Sequence, residues 1–121
     1  EKRGSRVAKI VKQGCIIGVK PGMLEKYIEL HDNQPEEIRD LLRQHGFLKC
    51  EIFVKEIAGQ TYLFQYNEVD EAMDNAALYE NPAYQEWLRV TGECQQPLPG
   101  ETFWQSLPQV YALLKSEKGD D

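Results

Sequence analysis

The chain has 121 residues, 41% of them hydrophobic, with a net charge of −6 at pH 7. That length supports one domain with a single core. The acidic balance argues against a nucleic-acid partner, which wants clustered Lys and Arg, and no apolar run approaches the roughly 20 residues of a membrane span.

The basic start (Lys2, Arg3, Arg6, Lys9, Lys12) reads as a short solvated arm over residues 1–12 rather than a binding patch. Three cysteines, Cys15, Cys50 and Cys94, are an odd number with no zinc spacing, which points to free thiols and a reducing compartment. The first residues are charged and no apolar signal core follows, so the expected location is cytoplasmic.

Residues 14–20 read as a first strand, apolar on both faces through Cys15, Ile16, Ile17 and Val19, as a central strand is. Pro21 and Gly22 close it and open a helix in which Tyr27 and His31 lie four residues apart on one face, beside Met23, Leu24 and Ile28. Asp32 or Asn33 is placed to cap a second helix at Pro35, which carries Ile38, Leu41 and Leu42 inward and stops at Gly46. Residues 48–57 alternate as a second strand, with Leu48, Cys50, Ile52 and Val54 sharing one face. A turn at Ala58-Gly59-Gln60 returns the chain as a third strand over 61–69, making an antiparallel hairpin. On this strand Tyr62, Phe64 and Tyr66 share one side, and Leu63, Gln65 and Asn67 the other. Asp70 is read as the cap of a helix to about residue 79, with Ala72, Met73, Ala76 and Ala77 as its small apolar face. Asn81-Pro82 signals a further helix bearing Tyr84, Trp87 and Leu88. Residues 95–101 are too rich in Pro and Gly for a regular element, 109–114 read as a last strand, and 115–121 as a charged disordered tail.

The order strand, helix, strand, strand, helix, strand is that of a ferredoxin-like α+β domain over residues 13–114, an antiparallel sheet with helices on one face. The other face of so apolar a sheet lacks a cover, and a second copy stacking its sheet there predicts a homodimer.

Two histidines carry the candidate chemistry. His31 has Tyr27 one turn back, Asp32 adjacent and a helix break in front of it; its ordinary pKa lets it take and give a proton near neutrality. A helix-end histidine is also a common dipole partner, and that structural role is the reading for His45, just before Gly46. Trp87 and Trp104 are either core or flat platforms for a sugar's C–H faces; Trp104, in a loop, leans to the second. Cys94 has no base beside it in sequence, so a nucleophile role is not assigned.

Taken together, the chain resembles the L-rhamnose mutarotase family. The resemblance runs on Val19-Lys20-Pro21, Glu25-Lys26-Tyr27, His31 and His45-Gly46, then Ile52-Phe53 and Leu63-Phe64. It continues through Gln85-x-Trp87, the run Thr91-x-x-Cys94-Gln95-x-Pro97-Leu98-Pro99, Trp104 and Val110-Tyr111. It implies a dimeric α/β-barrel of ferredoxin-like subunits that interconverts the α and β anomers of a pyranose, most simply the 6-deoxyhexose L-rhamnose, with no metal and no cofactor. It further implies that His31 is the acid–base residue and that Tyr27 and Trp87 line the sugar pocket. Tyr27 and Gln95 then serve the sugar hydroxyls and Trp87 or Trp104 an apolar ring face. The chain departs from the family pattern at Pro35-Glu36-Glu37, where Trp-Pro-Glu is usual, at Leu88 in place of a second Trp, and at Cys50 in place of a strand Tyr. The alternative from another class is a dimeric sugar-binding module without turnover; a cofactor-free oxygenase on the same scaffold is a third.

Overall fold

The computed structural model describes residues 9–72 and 75–115. The chain runs β1 (Ile10–Val19), α1 (Leu24–Asp32), α2 (Glu36–Gln44), β2 (Phe47–Ile57), β3 (Gln60–Asp70), α3 (Asn75–Glu80), α4 (Pro82–Gly92), β4 (Gln95–Gln96) and β5 (Gln105–Leu107). The strands form one antiparallel sheet in the order β2-β3-β1-β4, and β5 pairs with β1 beyond β4. This is the ferredoxin-like order expected from the alternation of strands and helices. β1 is central, as its two apolar faces require.

β2 and β3 are joined by the two-residue loop Ala58-Gly59, with Ile57 opposite Gln60. Both loop residues have positive φ, 52° and 85°, which is the turn that matches the twist of paired strands. The register places Cys15 opposite Gln65, and Gln65 opposite Ile52. Residues Cys15, Ile17, Val19, Leu63, Gln65, Asn67, Cys50 and Ile52 therefore share one face, and Ile16, Tyr62, Phe64, Tyr66 and Phe53 the other.

The helices cover the first of these faces. One buried cluster joins Ile17, Val19 and Leu63 of the sheet to Tyr27 of α1 and Cys94, and a second joins Ile38 of α2 to Leu78, Tyr84 and Trp87 of α3 and α4. The opposite face carries no element among the described residues, and Phe53 there is 59% exposed.

Several boundaries differ from the sequence reading, each for a physical reason. β1 begins at Ile10, inside the segment read as a polar arm, because β3 extends to Asp70 and pairs with it. α2 is not capped by Asp32 or Asn33. Pro35 occupies its N-cap position without a side-chain bond, while Asn33 turns back and donates to the Glu29 carbonyl of α1. Asp70 caps no helix: it stays in the strand, its carboxylate accepts from the Ala72 N–H at 2.9 Å, and α3 starts only at Asn75. Met73 lies outside the described residues, as do 1–8 of the arm and 116–121 of the tail.

The largest correction is the last strand. It forms at Gln105–Leu107 and not over 109–114, where Val110, Tyr111 and Leu113 stand 93%, 75% and 80% exposed. β4 likewise arises in the Pro-rich run read as irregular, held by the pairing of Gln95 and Gln96 with Val19 and Gly18.

α4 begins as read. Asn81 accepts from the N–H groups of Ala83 (2.8 Å) and Tyr84 (3.3 Å), and Pro82 fills the first turn. Asn81→Ala is expected to cost about 1 kcal/mol, seen as a lower urea midpoint with unchanged slope.

Candidate active site

α1 carries Glu25 in its first turn, where the helix dipole favours an acid, and His31 in its last. The four-residue spacing places the Tyr27 and His31 rings together, with centroids 4.3 Å apart and planes tilted by 37°. From α4, Trp87 meets the His31 ring edge-on, centroids 5.1 Å apart at 70°. The imidazole is thus held between a phenol and an indole contributed by two helices. Its Nδ1 lies 2.9 Å from the Tyr27 carbonyl oxygen. A carbonyl only accepts, so Nδ1 carries the proton and, in the neutral ring, Nε2 is the basic nitrogen.

Burial lowers the His31 pKa from its ordinary value of 6.5; the bond to the Tyr27 carbonyl and the charge of Asp32 pull the other way without overcoming it. The ring is therefore mostly neutral at pH 7. Tyr27 is buried, and desolvation raises its pKa far above the ordinary 10. A hydrogen bond from the Gln95 amide, stabilising the phenolate, offsets part of that rise. Tyr27 is accordingly a standing hydrogen-bond donor at neutral pH, not a base.

These residues open on one cavity of about 970 Å³ between the helices and the sheet, at the upper end of the range for pockets that enclose small molecules. All five residues singled out in the sequence, His31, Tyr27, Trp87, Trp104 and Gln95, line it. Trp104 also packs on the core cluster around Tyr27, so the core and platform readings both describe it. His45 lies elsewhere, its Nδ1 on the Leu41 carbonyl at 2.9 Å, the helix-end role expected of it.

The sequence reading passed over part of the cavity floor. Gln13, Cys15, Gln65 and Asn67 line it too, and Gln65 Nε2 donates to Asn67 Oδ1 at 3.0 Å. The signal was present in the alternation, which set Gln65 and Asn67 beside Leu63 on a face that is otherwise apolar. The departures Cys50 and Leu88 stand in the same wall. Among the described residues, no group of three or more His, Cys, Asp or Glu is arranged to hold a metal ion, and no helix is long and apolar enough to cross a membrane.

The model of the family described as L-rhamnose mutarotase matches residues 12–113, most of the chain. The chain belongs to the L-rhamnose mutarotase family. A crystal structure of an L-rhamnose mutarotase from Formosa agariphila superposes with a TM-score of 0.67 at 22% identity, over 85% of this chain and 98% of that one. A protein provisionally assigned as an antibiotic biosynthesis monooxygenase from Nitrosomonas europaea gives 0.55 at 16% identity, over 84% and 91%. At such identities both likenesses speak to the fold. No curated protein matches the chain in sequence.

Proposed function

We propose that the protein interconverts the α and β anomers of a 6-deoxyhexose, L-rhamnose first among them, with His31 as the acid–base group. The observation that carries this reading is the His31 ring itself: fixed by Tyr27 and Trp87, bonded through Nδ1 alone among the described residues, and set in a cavity wall. Nε2 takes the proton of the anomeric hydroxyl as the C1–O5 bond breaks and C1=O1 forms. The imidazolium then gives that proton to the ring oxygen. Both oxygens are bonded to C1, so one ring serves both. Rotation about C1–C2 and reversal of the two transfers closes the ring on the other carbonyl face. Tyr27, kept protonated by burial, holds a sugar oxygen by donating to it, and Gln95 orients the phenol. Trp87 and Trp104 offer flat surfaces for the C–H side of the sugar.

The test is anomer exchange of L-rhamnose by saturation-transfer NMR. Exchange above the spontaneous rate is expected, with an acid limb whose midpoint lies below 6.5, because protonating His31 removes the base and burial lowers its pKa. Exchange that is flat with pH across that limb removes His31 from the mechanism. The binding-module reading draws on Cys50 and Leu88 in the cavity wall; binding of the sugar without faster exchange establishes it.

We further infer that two copies pair through the uncovered sheet face, where Phe53, Phe64 and Tyr62 stand, and that the exposed segment around Val110, Tyr111 and Leu113 packs on the second copy. Leaving three large apolar side chains of one short segment in water is otherwise unfavourable. Sedimentation equilibrium is expected to give twice the chain mass, and Phe53→Glu to shift it toward the single chain. A monomer at micromolar concentration contradicts the pairing.

A further inference from the structure

The cavity floor changes character along its length. Nearest Tyr27 the sheet offers Ile17 and Leu63, which pack against that ring. One side-chain step along, about 7 Å for two strand residues, come Cys15 and Gln65, and one more step brings Gln13 and Asn67. At that end the amides are linked in one direction. Gln65 Nε2 donates to Asn67 Oδ1 at 3.0 Å, and Asn67 Nδ2 donates to Gln13 Oε1 at 3.4 Å. Asn67, the middle member, is buried, Gln65 is half-buried and Gln13 is exposed, so the row is anchored at its centre and ends at Gln13 on the lip.

Such a row has a cost. Asn67 and Gln65, on the covered face of the sheet, lose water, and the two mutual bonds satisfy only part of their capacity. A side-chain amide has two donors and a carbonyl with two lone pairs. Among the described residues no donor is directed at the Gln65 carbonyl oxygen, and the second N–H of Gln65 is also unassigned. Gln65 itself lines the cavity. An acceptor and a donor on one planar group, already polarised by the next amide, match two neighbouring hydroxyls, one giving a proton and one taking it.

We propose that Gln65, backed by Asn67 and Gln13, reads a vicinal diol on ring carbons other than C1, and so selects the sugar whose anomers His31 exchanges. The inference rests on the sugar-isomerase reading for its ligand class but concerns different residues and a different part of the sugar. His31 addresses the oxygens at C1, with Tyr27 beside it and Gln95 behind Tyr27, at the apolar end of the floor; the amide row addresses hydroxyls remote from it. A site built to bond a hydroxyl discriminates strongly against the analogue lacking it, because its own polar groups are then left unpaired.

The experiment is calorimetric titration of L-rhamnose and its 2-, 3- and 4-deoxy analogues into the full chain, its Gln65→Met variant and its Gln13→Met variant. In the unaltered protein, loss of a read hydroxyl is expected to weaken binding about tenfold, the scale of one well-made hydrogen bond. In Gln65→Met that preference is expected to fall to within about twofold, the parent sugar losing what the analogue had already lost. Gln13→Met, at the exposed lip, moves the same ratio in the same direction and carries the test if Gln65→Met does not fold. Equal binding of all four sugars by the unaltered protein, or a preference unchanged in both variants, overturns the amide row. Anomer exchange with no such preference retires the row alone, and the preference without exchange retires the acid–base reading alone. Failure of all four sugars to bind overturns both.

Discussion

His31→Ala is expected to lower the rate of L-rhamnose anomer exchange over the spontaneous background by about 10²- to 10⁴-fold, the usual contribution of a positioned acid–base group. Removing the ring also removes the partner on which Tyr27 and Trp87 both lean, so a loss of rate in this variant could reflect a collapsed wall. His31→Gln separates the two causes. Glutamine fills a similar volume and keeps polar atoms in the cavity, yet cannot take a proton near neutrality. Unimpaired sugar binding with exchange at background in His31→Gln assigns the proton transfer to the imidazole. Full exchange in either variant, measured by saturation transfer at one temperature and pH, removes the imidazole from the reaction.

How much of this site the sequence declared depends on the kind of spacing that builds it. The Tyr27–His31 pair is local: an i,i+4 relation on one helix fixes its geometry whatever the rest of the chain does. Trp87 reaches His31 from a different helix, α4, so its place in the cavity wall was implied by the family likeness and not by periodicity. The amide row is less local again. Its members are paired across strands, and Gln13 meets Asn67 only because β1 begins at Ile10, ahead of the residues 14–20 that its apolar character marks as a strand.

The fold divides the same way. Hairpin β2–β3 was legible because alternation, turn and return sit within about twenty residues, and α4 because Asn81-Pro82 caps and starts it in place. The errors fall where tertiary pairing overrides local propensity. Val110, Tyr111, Leu113 and Leu114 have the composition of a strand, yet β1's free edge is taken by Gln105–Leu107 and by Gln95–Gln96. Asp70 has the chemistry of a helix cap, but its backbone N–H donates to the Gly46 carbonyl at 2.8 Å as the chain leaves the sheet, and its carboxylate serves a turn instead.

The short strand β4 has a single point of failure, and Gly18→Val is expected to expose it. A Cβ built on Gly18 would lie 2.5 Å from the Gln96 carbonyl oxygen and 3.2 Å from the Gln60 amide nitrogen. The first contact is with backbone, so no rotamer change relieves it, and β4 must move away from β1. β4 has only two residues to hold it, with help from the Lys20 N–H, which donates to the Cys94 carbonyl at 2.9 Å. A loss of about 3 kcal/mol in urea unfolding is expected, the upper part of the range for forced overpacking. The functional effect travels through the neighbouring residue: Gln95 shifts with Gln96, and the hydrogen bond that orients Tyr27 goes with it. Sugar affinity should therefore fall even where the variant is fully folded at low temperature. Adding Gln60→Ala to Gly18→Val tests the cause. If the Gln60 side chain were the obstacle, the double variant would regain most of the lost stability; a backbone clash with Gln96 predicts that it regains little.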